Sequence, residues 1–172
     1  LDLPDCHRLE IWAAQNECKE MIILLDFTKP APISVPICAR YEGQEAFCFD
    51  FEEESMAESI IATSIGTFLY EPNVAMLKAG AFRCTGTRFG LQKLHPHSHL
   101  YTSDRLLEQF PGRTFRVLKS FGFKDKEIKE ALQGISACQL TVRNFPLKAP
   151  EVLKKLKLRE GGHLTLFATT TH

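Results

Sequence analysis

The sequence predicts an α+β fold in two units, a small antiparallel module followed by an α/β sandwich of one sheet with helices packed on it. Three observations lead there. Four short strand-like runs, separated by turn residues, crowd into roughly the first 50 residues. After Pro72-Asn73, helical and extended patterns alternate, as they do when helices cover a sheet. The charge divides at the same place. Residues 1–72 carry two Lys and two Arg against four Asp and ten Glu, a net charge of −10, whereas residues 73–172 carry ten Lys and seven Arg against two Asp and five Glu, a net charge of +10. Such asymmetry marks two differently employed units, with the basic one the candidate binder of a polyanion. Simple attraction between the halves is the competing explanation.

The opening strands follow from alternation. Leu9, Ile11 and Ala13 alternate with Glu10 and Trp12, and a polar break at Gln15-Asn16-Glu17 precedes the apolar run Met21 to Leu25. Pro32 and Pro36 keep Ile33 to Cys38 extended. Glu42-Gly43-Gln44 is a turn, and Ala46 to Phe51 alternates aromatics on one face. Glu52-Glu53-Glu54 reads as a solvated strand end. Ser55 to Tyr70 is ambiguous and holds the expected junction, which divides the chain into residues 1–68 and 69–172.

In the second unit, Asn73 is placed to cap a helix carrying Val74, Leu77 and Ala81, which ends before Gly86. His97 to Thr102 reads as a short strand, and Ser103-Asp104 opens a helical turn through Gln109. A strand runs through Phe115 and Val117. Lys124 to Gln133 is an amphipathic helix closed by Gly134. Cys138, Leu140 and Val142 alternate in a further strand. Pro150 suits the first turn of a helix burying Val152, Leu153 and Leu156. Gly161-Gly162 is expected to end it before a last strand, Leu164 to Ala168.

Composition excludes several classes. The chain has 172 residues, 44% apolar with thirteen Phe, too much apolar surface for a disordered segment. No apolar run reaches the length of a bilayer span, so no membrane partner is expected. The chain begins at Leu1 rather than Met, which suggests a processed chain or part of a longer one. None of the six cysteines forms a C-x-x-C pair, and Cys38, Cys48 and Cys138 sit in strand-like runs where Cys acts as a small hydrophobe. A disulfide framework is unnecessary at this length, and a reducing cytoplasm is the expected compartment.

Catalytic motifs are lacking. No G-x-G-x-x-G, G-x-x-x-x-G-K-[ST] or G-x-S-x-G occurs, so neither a nucleotide-type cofactor loop nor a nucleophile elbow is expected. His95, His97 and His99, with Cys84 upstream, form the best metal candidate by composition, but Pro96 interrupts them and no carboxylate completes a ligand set. Asp104 and Glu108 fall at i, i+4, a spacing common on solvated faces. No catalytic or metal residue is therefore assigned.

The basic residues are better organised. Arg143, Lys148, Lys154, Lys155, Lys157 and Arg159 concentrate on the last strand, helix and loop, with Arg113 an outlier in the same half. Arg143-Asn144-Phe145-Pro146 adds a guanidinium, an amide and an aromatic ring at a strand end. Phosphates accept charge-assisted hydrogen bonds from such cations, and bases stack on aromatic rings.

Several blocks occur in a recognisable order: Tyr70-Glu71-Pro72-Asn73, Leu77-Lys78-Ala79-Gly80-Ala81-Phe82, His99-Leu100-Tyr101-Thr102-Ser103-Asp104, Phe110-Pro111-Gly112-Arg113, Arg143-Asn144-Phe145-Pro146 and Leu156-Lys157-Leu158-Arg159-Glu160-Gly161-Gly162. They resemble the THUMP-like C-terminal region of bacterial class I S-adenosylmethionine-dependent methyltransferases. Glu17-Cys18-Lys19-Glu20 resembles the small ferredoxin-like module preceding it. The resemblance implies an acidic ferredoxin-like module at 1–68 and a basic THUMP-like module at 69–172. It implies that S-adenosylmethionine is bound by an upstream domain absent from this chain, and that this region holds the RNA substrate, a tRNA or an rRNA. Phosphate contacts are expected from Arg113, Arg143, Lys148, Lys154, Lys155, Lys157 and Arg159, with base stacking by Phe145 or Tyr101. The alternative is a docking module that packs on the catalytic domain without binding RNA.

Overall fold

The computed structural model describes residues 4–171. The first sheet begins with a hairpin of β1 (Cys6–Ala14) and β2 (Glu17–Leu25), turned at Gln15 and Asn16, both at positive φ. Next, β3 (Ile37–Tyr41) pairs with β1 in parallel, and β4 (Phe47–Phe49) returns antiparallel to β3, giving the order β2-β1-β3-β4. The module is thus mixed rather than wholly antiparallel. Residues 26–36, with prolines at 30, 32 and 36, cannot make a tight hairpin and instead carry the chain across to the far side of β1. Of the stretch expected to be extended, only Ile37 and Cys38 enter a strand. Cys38 and Cys48 face each other across β3 and β4 and are joined by a disulfide, not left as separate small hydrophobes.

Asp50 ends the fourth strand early. Its carboxylate accepts the Glu53 N–H at 2.8 Å and caps α1 (Phe51–Met56), so Glu52, Glu53 and Glu54 occupy a helical first turn, where the helix dipole favours them. They are not a solvated strand end. Glu53 pairs with Arg88 at 2.5 and 2.6 Å, and Glu54 accepts the N–H groups of Phe82, Arg83 and Cys84 at 3.1, 2.7 and 3.0 Å.

β5 (Phe68–Pro72) leads into α2 (Val74–Ala79), capped by the Asn73 side chain, which accepts from Met76 N–H at 3.0 Å as expected. The single helix expected here is two. Gly80, at φ 83°, ends α2, and Glu54 caps the start of α3 (Arg83–Phe89). Ala75 and Met76 of α2 pack on Ala13, Ala39, Phe47 and Phe49 of the first sheet.

β6 (Gln92–Lys93), β7 (Tyr101–Ser103) and β8 (Gly112–Arg116) complete an antiparallel second sheet of order β6-β7-β5-β8. The strand expected from His97 starts only at Tyr101. The helical turn expected over 103–109 is a loop, held by the Tyr70 hydroxyl, which donates to Arg105 O at 2.6 Å and accepts Leu107 N–H at 3.0 Å.

The last part follows the sequence closely. α4 (Asp125–Ala131), β9 (Ala137–Arg143), α5 (Ala149–Leu156) and β10 (Arg159–Thr169) place two parallel strands under a crossover helix. Ile128, Cys138, Val152, Leu156, Leu158 and Ala168 form its core. No helix among the described residues is long and apolar enough to cross a membrane.

Candidate nucleic-acid interface

The positively charged segment is built by one helix and its two flanks. Val152 and Leu156, one turn apart, are buried beneath α5, and that registration turns Lys154 and Lys155 outward. Glu151 accepts the Lys148 backbone N–H at 2.8 Å and fixes the helix start, while Lys154 and Lys155 in the last turn complement its dipole. Lys155 Nζ stands 4.7 Å from the centre of the Phe123 ring.

The helix does not run to the glycine pair. It stops at Lys157, which takes the left-handed conformation (φ 57°) and donates to Lys154 O at 3.3 Å, as Leu158 N–H does to Leu153 O at 3.1 Å. Gly161 and Gly162 lie within β10, where the pairing register shifts between Glu160 and Thr165; Gly162 O accepts from the Gln139 side chain at 3.1 Å. Lys148, Lys154, Lys155, Lys157 and Arg159 are all exposed. No carboxylate pairs with any of them among the described residues.

The two arginines are differently employed. Glu71 on β5 is 3% exposed and receives both. Arg113 Nε donates to Glu71 Oε2 at 2.9 Å, with Arg113 Nη2 on the same oxygen, while Arg143 Nε and Nη2 reach Oε1 at 3.0 and 2.8 Å. One carboxylate thus balances one of two cations and ties β5 and β8 to the end of β9. Sequence reasoning missed Glu71, although a lone acid inside the strand Phe68–Pro72 was a signal that a partner was needed.

The aromatic candidates are committed inward. Tyr101 is fully buried, its hydroxyl donating to Phe82 O at 2.5 Å, and burial pushes its pKa up. It is not on a surface where a base could stack, which corrects the expectation. The reason is that β7 is covered on both faces, and the run Leu100 to Thr102 therefore shows no alternation. Phe145 is half-buried, its ring edge-on to Phe123 at 5.1 Å. Asn144 is pinned as well: its side chain donates to His95 Nδ1 at 2.9 Å, and its carbonyl accepts the Thr170 hydroxyl and N–H at 2.6 and 3.1 Å.

The histidines do not converge on a metal site, and no group of three ligating side chains occurs among the described residues. His99 stacks on Phe82 at 3.7 Å, and its Nδ1 lies 3.5 Å from the ammonium of buried Lys93. Burial, with the Lys93 charge adding to it, lowers its pKa to about 4. Lys93 donates to Pro96 O at 2.7 Å, and burial likewise lowers its pKa. Asp104 accepts from the Thr67 N–H and hydroxyl at 2.9 and 3.1 Å, a structural role.

Comparison with known proteins fits these parts. Residues 68–111 match a ferredoxin-like domain family and residues 112–172 a family described as THUMP domain-like. The ferredoxin-like module was expected at residues 1–68; the match begins only at residue 68, and residues 1–67 fall outside both matches. An uncharacterized S-adenosylmethionine-dependent methyltransferase of Mycobacterium tuberculosis is 27% identical over 106 residues, covering 60% of this chain and 29% of that protein. A crystal structure of a candidate methyltransferase from Porphyromonas gingivalis W83 superimposes with a TM-score of 0.89 at 37% identity, over 97% of this chain and 43% of that one. The chain therefore spans less than half the length of these relatives. Its likeness to known families lies in a ferredoxin-like match at residues 68–111 and a THUMP-like match at residues 112–172.

Proposed function

We propose that this chain is the substrate-holding, non-catalytic region of an S-adenosylmethionine-dependent methyltransferase, and that α5 with its flanks grips RNA. One observation supports this most directly: Lys148, Lys154, Lys155, Lys157 and Arg159, five exposed cations without carboxylate partners, lie within a single helix and its two ends. The THUMP-like residues 112–172 carry eight Lys and four Arg against one Asp and four Glu, a net charge of +7. Such a surface attracts a polyanion and releases its counterions on contact. Phosphates are held by the α5 cations. Arg113 and Arg143, both already bound to Glu71, supply one net positive charge and set the position of the β9 strand end.

On this reading methyl transfer is carried out by another domain of the protein. In a Rossmann-type site the cofactor lies at a glycine-rich turn between a strand and a helix. The strand-to-helix connections at Asp50, at Asn73 and over residues 144–148 contain no glycine. The connection after β8 has Gly122, whose N–H is taken by Glu127 at 2.7 Å. These connections offer no such turn, and on this reading the cofactor is held by a catalytic domain of the longer protein. The partners of the region are thus an RNA, a tRNA or rRNA, and a methyltransferase domain in the same protein.

The test is binding of fluorescently labelled tRNA or an rRNA fragment to the chain and to the doubly reversed variant Lys154→Glu/Lys155→Glu. Affinity is expected to fall at least tenfold with unchanged melting temperature. Equal affinity of the two proteins would exclude α5 as the contact.

A further inference from the structure

We infer that β2 is an interior strand of a larger sheet, and that its outer edge pairs with the sheet of an α/β domain in the longer polypeptide that carries this region. This rests on the reading of the chain as part of a methyltransferase, not on RNA binding. Met21, Ile22, Ile23, Leu24 and Leu25 are 64, 41, 41, 53 and 42% exposed, five consecutive apolar residues without a charge or proline among them. Pairing with β1 puts Met21 opposite Ile11 and Ile23 opposite Leu9 on one face, and Ile22 opposite Glu10 and Leu24 opposite Arg8 on the other. The apolar surface is therefore two-sided. The outer edge of β2 has no partner among the described residues, and none of the usual edge protections interrupts residues 21–25.

Two-sidedness selects the occupant. A strand in a sheet solvated on one face alternates, whereas a continuous apolar run is the mark of a strand buried on both faces, as in sheets covered by helices above and below. A second copy of this chain pairing edge to edge would satisfy the backbone but leave both apolar faces in water. A domain with helices on both sides of its own sheet covers edge and faces together. The relatives supply room for one: more than half of the Porphyromonas gingivalis chain and more than two thirds of the Mycobacterium tuberculosis protein lie outside the matched region.

Hydrogen exchange followed by mass spectrometry tests this on two proteins, the present chain and the full-length Porphyromonas gingivalis relative. The segment corresponding to Glu17–Leu25 is expected to exchange at least a hundredfold more slowly in the full-length protein, and the present chain is expected to be monomeric. Equal exchange in both would overturn the inference. So would a concentration-dependent dimer of this chain that protects β2 and is abolished by Ile23→Lys, because the edge would then belong to a second copy. The RNA affinity of the same samples reports separately on the reading of α5.

Discussion

Arg143 reaches Glu71 across 72 residues of sequence, with Nε 3.0 Å from a carboxylate that also holds Arg113. The contact joins a residue of the segment matched as ferredoxin-like to one of the segment matched as THUMP-like, so the two segments share one ion cluster around a buried carboxylate. Its geometry decides which cations remain free for a ligand.

Removing the acid should expose that dependence. Glu71→Gln keeps the shape but leaves two guanidinium groups facing an uncharged amide in a site the rest of the fold still encloses. The arginines are about half-exposed, so the expected cost is on the order of 2 kcal/mol rather than the larger penalty of a fully buried pair. A lowered urea midpoint checks it. An unchanged midpoint would mean that the cluster is incidental.

Lys157 offers the opposite change. A side chain in the left-handed region is disfavoured relative to glycine, so Lys157→Gly should raise stability by about 1 kcal/mol. The same substitution removes one of the five free cations and should weaken RNA binding. Thermal melting and RNA titration on one protein sample would thus move in opposite directions.

Acid sensitivity should come in part from His99. Its folded pKa of about 4 lies below the ordinary value of 6.5, so the unfolded chain takes up a proton that the folded protein resists. The contribution is intact above about pH 6.5, is lost progressively as pH falls toward 4, and does not change further below that. His99→Asn, which tolerates the positive φ at this position, should lose less stability between pH 7 and 4.5 than the parent protein. Urea midpoints at the two pH values give the comparison, and parallel losses would count against the assignment.

What the sequence made legible was local. Asn73 before Val74, Pro150 at a helix start and the alternation of Cys138, Leu140 and Val142 each specify a conformation within a few residues, and each appears as read. The parallel pairing of β1 with β3 was not legible, because it depends on how residues 26–36 cross the sheet. Tyr101 was misread for want of a pattern, since a strand covered on both faces has no alternation to reveal which way a ring points. That Lys154 and Lys155 face outward was legible because helical spacing alone separates them from Val152 and Leu156. Arg113 and Arg143 were not, because their carboxylate partner lies far away in the chain.

The central claim is that the cations of α5 and its ends hold a polyanion, and the salt dependence of RNA affinity tests it most directly. With five phosphate contacts at roughly 0.7 to 0.9 each, the logarithm of affinity should fall against the logarithm of salt concentration with a slope near −4. Lys154→Glu/Lys155→Glu should flatten that slope. A chain that fails to bind RNA at low salt, or binds it with an affinity indifferent to salt, contradicts the account.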